Sequence, residues 1–353
     1  MTYATLEWGI SQSFYVQLNT GMLKFCSAPW KQVQIHQDGT VQPCLCGGWH
    51  TAGVAGNMLT QSMAEIMQAE NIKRLREGVL DQSFSVCHDR CPYKWKPEMV
   101  EQLPDFVNDL TPLPAEILLA IDMNCNLKCS MCRPGSVFAK KIDPTAQAIL
   151  DKLVSSYRHT KTPTVLQMDG AGDVFASEAW KQFLRREDIP ECFSFHIITN
   201  GNLVLKNKDL MLRHKHRIRS VDVSLDATQE ETYSQVRGGK LSLVLEGLEW
   251  MRDNDIRTTI SFVVQRRNYR EMMDCWRLAH RLGCHSINFQ GVERFKHMSD
   301  EYWQYTRLED NPDVDMVYLR EVLTKLLNAP TVVDFSGKAP PPVYIDGTLR
   351  RFC

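Results

Sequence analysis

The sequence lacks an excess of charge of either sign: its 353 residues include 41 lysines and arginines and 42 aspartates and glutamates, for a net charge of -1. This balance argues against a nucleic-acid-binding protein that relies on bulk positive charge, and against an acidic disordered tail. No long apolar run occurs, and the first residues, MTYATLEWGISQSF, lack the basic start and apolar core of a signal peptide. We therefore expect a soluble, cytoplasmic protein with no nucleic-acid partner and no membrane partner.

Cysteine, in contrast, is abundant, with 12 residues in the chain. Disulfides are disfavoured in the cytosol, so a cysteine-rich cytoplasmic chain more often uses its thiolates for metal binding or catalysis. Most of these cysteines fall into two groups, one between Cys26 and Cys91 and one between Cys125 and Cys132. This clustering predicts metal sites.

From about residue 117, short β-branched runs alternate with amphipathic helical stretches. This alternation is typical of βα units around a parallel sheet. The predicted strands are Ile117–Asp122, Thr164–Asp169, Phe193–Thr199, Arg219–Leu225, Arg257–Val264 and His285–Gln290. One predicted helix begins at Asp143-Pro144, and another spans Leu241–Asp253. Six such units predict an α/β fold, a partial (β/α)6 barrel.

The flanking regions differ from the barrel. The N-terminal region has a hairpin pattern around Asp38-Gly39 and a predicted helix, Met63–Glu77, which Gly78 ends. After the barrel we predict a helix over Asp313–Leu327 and a last extended segment, VYIDGTLRRFC. Because this segment repeats the Asp-Gly turn of the hairpin, we expect it to return beside the hairpin and to bring Cys353 near the auxiliary cluster or the barrel mouth; a free tail is the alternative. We therefore expect a small cysteine-rich α+β domain at 1–100, the barrel at 101–295, and a C-terminal helix and tail at 296–353.

The stretch IDMNCNLKCSMCRPG places Cys125, Cys129 and Cys132 in a C-x3-C-x2-C loop after the first predicted strand of the barrel. Parallel α/β folds build their sites at this end of their strands. Three thiolates in so short a loop can bind three irons of a four-iron cluster, which leaves the fourth iron open for a small chelating molecule. On spacing alone, a zinc site with a borrowed fourth ligand is the alternative.

Together with this loop, four later segments resemble, in the same order, motifs of the radical S-adenosylmethionine (SAM) enzymes. The segment DGAGDVFAS resembles the family's Gly-Gly-Glu-Pro segment, which binds the SAM amino group, and HIITNGN resembles its Thr-Asn-Gly turn. The segment VDVSLDATQEETYSQVRGG resembles the strand and helix that approach the SAM ribose and carboxylate, and HSINFQGVERF the strand that flanks the adenine. The resemblance implies a SAM-binding set of Met131, Gly170, Gly172, Asp173, Thr199, Asn200, Ser224, Asp226, Arg237, Ile287, Phe289 and Val292.

Two of these positions depart from the family pattern. Met131 stands where the family usually has an aromatic residue, and methionine is apolar and adaptable enough to keep that packing role. Asp173-Val174 replaces the Glu-Pro pair, which shortens the carboxylate side chain by one methylene group.

The N-terminal cysteines resemble an auxiliary iron-sulfur extension called SPASM or, in its shorter form, twitch. Cys26 and Cys44 match its opening pattern, with Gly39 between them, and Cys87 and Cys91 match its closing C-x3-C pair. Four thiolates can close one auxiliary 4Fe-4S cluster, and a zinc site with the same cysteines is the alternative. Relatives usually carry this unit after the barrel, whereas here it precedes the barrel. The remaining Cys46 and Cys353 are candidate replacement ligands or candidate thiol hydrogen-atom donors in catalysis.

The resemblance implies that a 4Fe-4S cluster, reduced by a flavodoxin- or ferredoxin-type protein, cleaves SAM to methionine and a 5′-deoxyadenosyl radical. This radical abstracts a hydrogen atom from the substrate. Relatives with auxiliary clusters often modify ribosomally made peptides or proteins, so our first hypothesis is peptide crosslinking, epimerisation or oxidation. The alternatives are an epimerase or dehydrogenase of a carbohydrate or other small molecule, and a two-cluster electron-transfer protein. The SAM-binding motifs argue against the last.

Overall fold

The computed structural model of the chain describes residues 23–45, 50–89, 91, 94, 98–108, 113–132, 137–168, 171–295, 297–328, 343–346 and 349. The strands in these residues are β1 (Leu23–Phe25), β2 (Gln32–His36), β3 (Thr40–Pro43), β4 (Gly56–Asn57), β5 (Glu98–Val100), β6 (Glu116–Ala120), β7 (Thr164–Met168), β8 (Phe193–Thr199), β9 (Ile218–Ser224), β10 (Thr258–Val264), β11 (Ser286–Gly291) and β12 (Val343–Ile345). The helices are α1 (Ala28–Lys31), α2 (Met63–Met67), α3 (Glu70–Leu80), α4 (Pro144–Tyr157), α5 (Glu178–Arg185), α6 (Lys208–Arg213), α7 (Glu230–Val236), α8 (Leu241–Asp253), α9 (Met272–Arg281), α10 (Asp300–Thr306) and α11 (Met316–Leu327).

Ten strands form one sheet in the order β12-β11-β10-β9-β8-β7-β6-β2-β3-β4. From β6 to β11, each strand pairs in parallel with the next strand of the chain. Helices connect these strands, so the six βα units predicted from the sequence are confirmed, with strand ends that differ by one or two residues. The sheet order is linear, as a partial barrel requires, and the α/β fold class is confirmed.

The two faces of this sheet differ in polarity because successive side chains of a strand point to opposite faces. One face is apolar and packs against the helices; its buried side chains include Val221, Val223, Ile260, Phe262, Ile287 and Phe289. The other face is polar; its side chains, matched across neighbouring strands, include Asp222, Ser224, Thr259, Ser261, Ser286 and Asn288. The sheet therefore presents a row of small hydroxyl groups and one carboxyl group on the side away from the helices.

The two barrel helices predicted from the sequence are also present. Asp143 caps α4, because its carboxylate accepts hydrogen bonds from the amides of Thr145 and Ala146, and Pro144 occupies the first turn. The helix α8 has the predicted bounds. No helix in the described ranges has both the length and the apolar character needed to cross a lipid bilayer.

Two helices outside the barrel differ from the predictions. The single helix expected over Met63–Glu77 is wrong: α2 and α3 are separate, because Ala69 between them is extended. Gly78 does not end α3, because the helix continues to Leu80. This extension buries Val79 against Trp30 and its neighbours. The C-terminal helix begins at Met316, three residues later than expected, because Asp315 accepts a hydrogen bond from the Tyr318 amide and caps it.

The N-terminal hairpin is confirmed as β2 and β3, which pair antiparallel around Asp38-Gly39. Gly39 has a φ of +80°, a conformation that glycine adopts without strain. The hairpin is not detached from the barrel, because β2 pairs in parallel with β6 along all five of its residues. The cysteine-rich region and the barrel therefore share one sheet, and the division at residue 100 stays a prediction.

The expectation that the last strand returns beside this hairpin is wrong. The strand β12 pairs in parallel with β11, at the opposite edge of the sheet. The physical reason is burial: Ile345 is only 4% exposed and belongs to the main core beneath α11, which the hairpin edge does not offer. The repeated Asp-Gly turn is therefore no guide to pairing.

Candidate active site

The C-x3-C-x2-C loop directly follows β6 and so lies at the carboxyl end of the parallel strands. Cys125 and Cys129 are buried, whereas Cys132 is exposed. The amide of Ser130 donates to the carbonyl oxygen of Val236 at 3.0 Å, which ties the loop to the end of α7. Within the described ranges, no three His, Cys, Asp or Glu side chains are placed to hold a single metal ion. A four-iron cluster makes a different demand, since each thiolate binds its own iron.

Gly172, after β7, lies against the backbone that leads into the cysteine loop. A Cβ atom at this position would lie 2.4 Å from the carbonyl oxygen of Asn124 and 2.7 Å from that of Asp122. Only glycine allows so close an approach of two backbones. The contact of Gly172 with SAM stays a prediction. Gly170 lies outside the described residues.

Asp173 connects the loops that follow β7 and β8. Its Oδ2 accepts hydrogen bonds from the Thr199 hydroxyl at 2.8 Å and from the Asn200 amide at 2.7 Å, and its Oδ1 accepts from the Phe175 amide at 3.0 Å. Burial raises the pKa of Asp173, and these hydrogen bonds oppose that increase. Both carboxylate oxygens are therefore engaged within the protein, so Asp173 and Thr199 act here as parts of the scaffold.

Asn200 extends this connection to the cysteine loop. Its side-chain Nδ2 donates to Cys125 Sγ at 3.7 Å and to Asn126 Oδ1 at 3.0 Å. Hydrogen bonds to a ligand sulfur tune the reduction potential of an iron-sulfur cluster. The sequence placed Asn200 in the SAM-binding set, whereas in this geometry it contacts the first cysteine.

Asp226 and Arg237 form a buried ion pair, with Nη1 donating to Oδ2 at 2.9 Å. The other oxygen of Asp226 accepts the Val263 amide at 2.6 Å. Burial alone would lower the pKa of Arg237, but Cys129 and Asp226 outweigh it and raise this pKa. The Nε–H of Arg237 is buried and has no hydrogen-bond partner among the described residues. The site thus contains a permanent cation with an unused donor beside a cysteine of the loop.

Met131 and Val292 are brought together in a small apolar cluster that also contains Val236 and Met298. Gln265 donates to the Met131 sulfur at 3.7 Å. The sequence reasoning did not identify Val236, Met298 or Gln265, because single residues in a helix, a loop and a strand end carry no local pattern. This cluster brings together two of the four predicted adenine neighbours, and their contact with the adenine stays a prediction.

Ile287 and Phe289 are not part of that cluster. Both are fully buried in the main core, on the face of the sheet that packs against the helices, and Phe289 contacts the ring of Phe262. They therefore do not line the polar face, because successive strand residues point to opposite faces, and their predicted place beside the adenine stays a prediction. Ser224, by contrast, lies on the polar face, in register with Ser261.

The N-terminal cysteines converge in a second place. Cys26, Cys44 and Cys87 all contact one apolar cluster, formed by Phe25, Ala28, Trp30, Val79 and Phe84. The pKa of Cys87 is raised by burial and further by the nearby Cys91. The donor set suits an iron-sulfur cluster, and the assignment of the individual ligands stays a prediction. Cys46 and Cys353 lie outside the described residues.

Asp222 is a polar residue of the barrel that the sequence reasoning missed. It lies on the polar face of β9, where burial is the main cause that raises its pKa to about 6; a hydrogen bond from Ser261 opposes the increase. Its Oδ1 is buried and has no partner among the described residues. The signal that was available is its position in the predicted strand, four residues before Asp226, which follows that strand.

Two family models match the chain. A model described as an iron-sulfur cluster-binding domain, SPASM, matches residues 26–92, and the model of the radical SAM superfamily matches residues 123–279. The chain belongs to the radical SAM superfamily and carries a SPASM domain. It is therefore an enzyme, and its cofactors are SAM, a SAM-binding 4Fe-4S cluster and an auxiliary iron-sulfur cluster.

Two curated relatives illustrate the range of this superfamily. Over 197 residues, which cover 52% of this chain and 41% of the relative, the enzyme is 23% identical to the antilisterial bacteriocin subtilosin biosynthesis protein AlbA of Bacillus subtilis. Over 180 residues, which cover 49% of each protein, it is 24% identical to the AdoMet-dependent heme synthase of Methanosarcina barkeri. The enzyme thus spans about half or less of the length of these relatives.

The chain is also similar, at low identity, to several solved structures. Streptococcus suis SuiB bound to S-adenosylmethionine is 14% identical, with a TM-score of 0.49, over 80% of this chain and 63% of that chain. Native anSMEcpe with bound AdoMet is 14% identical, with a TM-score of 0.46, over 65% of this chain and 63% of that chain.

Asp173→Ala should destabilise the SAM-free enzyme by about 3 kcal/mol, because it leaves three buried donors without their charged acceptor. Urea unfolding measures this loss, and Asp274→Ala on the exposed side of α9 is the matched control. If Asp173→Ala weakened SAM binding but left the free energy of unfolding unchanged, Asp173 would be a SAM ligand instead of a scaffold residue.

Asp222→Asn should stabilise the enzyme at pH 8 by up to about 3 kcal/mol. The folded state holds the Asp222 proton up to about pH 6. The unfolded chain releases it near pH 4, so the wild-type enzyme loses stability as the pH rises from about 4 to 6. The gain from Asn should therefore shrink when urea unfolding is repeated at pH 5. An equal gain at both pH values would contradict the raised pKa.

Proposed function

We propose that this enzyme uses reductively cleaved SAM to take a hydrogen atom from a ribosomally made peptide, which it crosslinks, epimerises or oxidises. The observation that carries the SAM-dependent part is Arg237, a buried cation held by Asp226, adjacent to Cys129, with an unused Nε–H donor. A carboxylate is the group that such a donor binds most strongly. SAM carries a carboxylate on its methionine portion.

The other residues of the site fit the remaining parts of SAM. The thiols of Cys125, Cys129 and Cys132 would hold the cluster, and the amide of Asn200 would stabilise negative charge on the sulfur of Cys125. The apolar side chains of Met131 and Val292, which share a cluster with Val236 and Met298, would pack against the adenine. Ser224 would offer its hydroxyl to the ribose from the polar face. Bound together, the cluster and SAM supply one-electron cleavage chemistry that yields a hydrogen-abstracting radical.

A peptide substrate is supported by the similarity to AlbA, which acts in the biosynthesis of a bacteriocin according to its name. A small-molecule substrate is the second candidate, since the similarity to a heme synthase is of the same strength and extent. The polar face lined by Asp222, Ser224 and Ser261 is compatible with either substrate, because small hydroxyl groups leave room and offer hydrogen bonds.

Replacing Cys125, Cys129 and Cys132 together with alanine should abolish the release of 5′-deoxyadenosine. The assay uses anaerobically reconstituted enzyme with dithionite and SAM, and Cys192→Ala, a half-buried cysteine of the barrel, is the control that keeps activity. The triple variant should keep the absorbance of the auxiliary cluster, since its proposed ligands Cys26, Cys44, Cys87 and Cys91 are unchanged. Product release by the triple variant would refute the assignment of the loop.

We expect a short precursor-peptide reading frame beside the gene of this enzyme. That peptide should raise 5′-deoxyadenosine release and should itself be altered. Crosslinking or oxidation removes two hydrogens from the peptide. Epimerisation leaves the peptide mass unchanged in ordinary water, but in heavy water it introduces one deuterium through a thiol donor. Cys46 and Cys353 are the candidates for this donor. Mass spectrometry of the peptide distinguishes these outcomes. An unaltered peptide, with turnover stimulated by a small molecule instead, would favour the second candidate.

A further inference from the structure

A cavity of about 520 Å³ lies at the amino ends of three neighbouring parallel strands. Arg219 lies at the beginning of β9, and Arg257 and His285 lie immediately before β10 and β11. The cysteine loop follows β6 and so lies at the opposite end of the sheet, where the parallel strands finish. We call this space the strand-base cavity. Its volume is within the range of ligand-binding sites in proteins, about 300–1,000 Å³.

The two arginines of the strand-base cavity have no acidic partner. Among the described residues, neither Arg219 nor Arg257 forms an ion pair with a carboxylate, and no acidic side chain lines the cavity. The carboxyl group of Asp222 lies opposite Thr259 in the strand register, outside the lining of the cavity. Two positive charges that share a cavity without a counter-charge attract an anion.

His285 sets the direction of one of these arginines. Nη2 of Arg257 contacts Nε2 of His285. A guanidinium can only donate, so this imidazole nitrogen is the acceptor. Burial and the charge of Arg257 lower the pKa of His285, which keeps the imidazole neutral and able to accept at pH 7. The guanidinium of Arg257 is therefore oriented before a ligand arrives, and its other N–H groups have no partner among the described residues.

Hydroxyl groups on the polar face of the sheet complete the lining. They belong to Ser220 of β9, Thr259 of β10 and Ser286 of β11. Thr259 and Ser286 lie opposite each other, and a hydrogen bond of 2.8 Å joins Oγ1 to Oγ. This bond uses only one of the two hydroxyl hydrogens, so the other can be donated to a ligand. The ligand group that accepts from guanidinium and hydroxyl donors together is an oxyanion.

The distance between the strand-base cavity and the cysteine loop selects the kind of ligand. On β10, Thr259 lies five residues before Val264, the last residue of the strand. Strands rise about 3.3 Å per residue, so the bound anion would lie roughly 17 Å from the carboxyl ends of the strands. Between the two ends, Ser224, Ser261 and Asn288 are only partly buried, which leaves the polar face accessible. A small acid held in the cavity would stay far from the loop, whereas an extended peptide covers this distance with about five residues.

We propose that the strand-base cavity binds a carboxylate of the peptide substrate, about five residues away from the residue that loses its hydrogen atom. This proposal rests on the proposed function, since it places the reacting residue beside the cysteine loop. The anionic groups of a ribosomally made peptide are carboxylates, and an arginine binds a carboxylate through two parallel hydrogen bonds. The cavity is thus an anchor that selects acidic peptides.

Binding of defined peptides to the SAM-free reconstituted enzyme tests this anchor. Calorimetry compares two blocked alanine hexapeptides that end in glutamate or glutamine, an alanine peptide with a free C-terminal carboxylate, and inorganic phosphate. The test variant is Arg219→Gln/Arg257→Gln. The control is Arg281→Gln/Arg320→Gln, which removes two exposed arginines of α9 and α11 that also form no ion pair among the described residues.

The wild-type enzyme should bind the glutamate peptide at least about tenfold more tightly than the glutamine peptide, because only the carboxylate accepts charge-assisted hydrogen bonds. The test variant should lose this preference, and the control should keep it. If the test variant does not fold, Arg219→Gln alone decides, since it leaves the contact between Arg257 and His285 intact. The peptide with the free carboxylate shows whether the anchor takes a chain end or only a side chain.

The spacing is tested by photo-crosslinking. A benzoylphenylalanine placed five residues from the glutamate should label the loops at the carboxyl ends of the strands. The same group placed directly beside the glutamate should label residues at the strand-base cavity. Mass spectrometry of the digested enzyme locates both labels. Labelling at the cavity from both positions would contradict the extended path along the polar face.

Equal affinity of the wild-type enzyme for the glutamate and glutamine peptides would overturn the proposal. Tight binding of inorganic phosphate without binding of either carboxylate peptide would overturn it too, since the ligand would then be a phosphorylated small molecule. Equal loss of preference in the test and control variants would do the same, because bulk charge would be the cause. An enzyme that shows the expected peptide preference but releases no 5′-deoxyadenosine would refute the proposed function and leave the anion site in place.

Discussion

The carboxylate of Asp173 is the constraint on which the geometry of the site depends. It is fully buried and accepts hydrogen bonds from the loop after β8 and from its own loop after β7. The backbone amide of Asp173 donates to the carbonyl oxygen of Asn124, in the cysteine loop after β6. Three consecutive loops of the barrel are therefore held by one residue. A buried carboxylate is costly unless its oxygens are satisfied, and this one has three partners.

The charged side chains of this site are also held in place by contacts within the protein. Arg237 is held by Asp226, whose second oxygen is fixed by the backbone of β10, so the guanidinium is oriented before any ligand arrives. Preorganised groups of this kind lose little conformational entropy when a ligand binds. The cost is an ion pair buried in the protein, which contributes little to stability by itself.

The sequence was sufficient for the parts of the molecule that local patterns determine. The parallel strands from β6 to β11 and the capped helix α4 follow from alternation and capping signals. The sequence was not sufficient where the neighbours of a strand in the sheet are distant in the chain. No local signal predicts that β2 pairs with β6 or that β12 joins β11. The sequence also could not tell which face of the sheet Ile287 and Phe289 occupy, because an apolar strand residue gives the same local pattern on either face.

The hydrogen-bonded ladder between β2 and β6 has a mechanical consequence for the two iron-sulfur sites. The strand that enters the hairpin with Cys44 at its base lies beside the strand that leads to Cys125, and five residue pairs join them without a linker between. A pair of redox centres carried on separate domains can vary its separation by hinge motion. Here such a hinge would have to break sheet hydrogen bonds, so the register of β2 against β6 restricts how far the base of the hairpin can move from the cysteine loop.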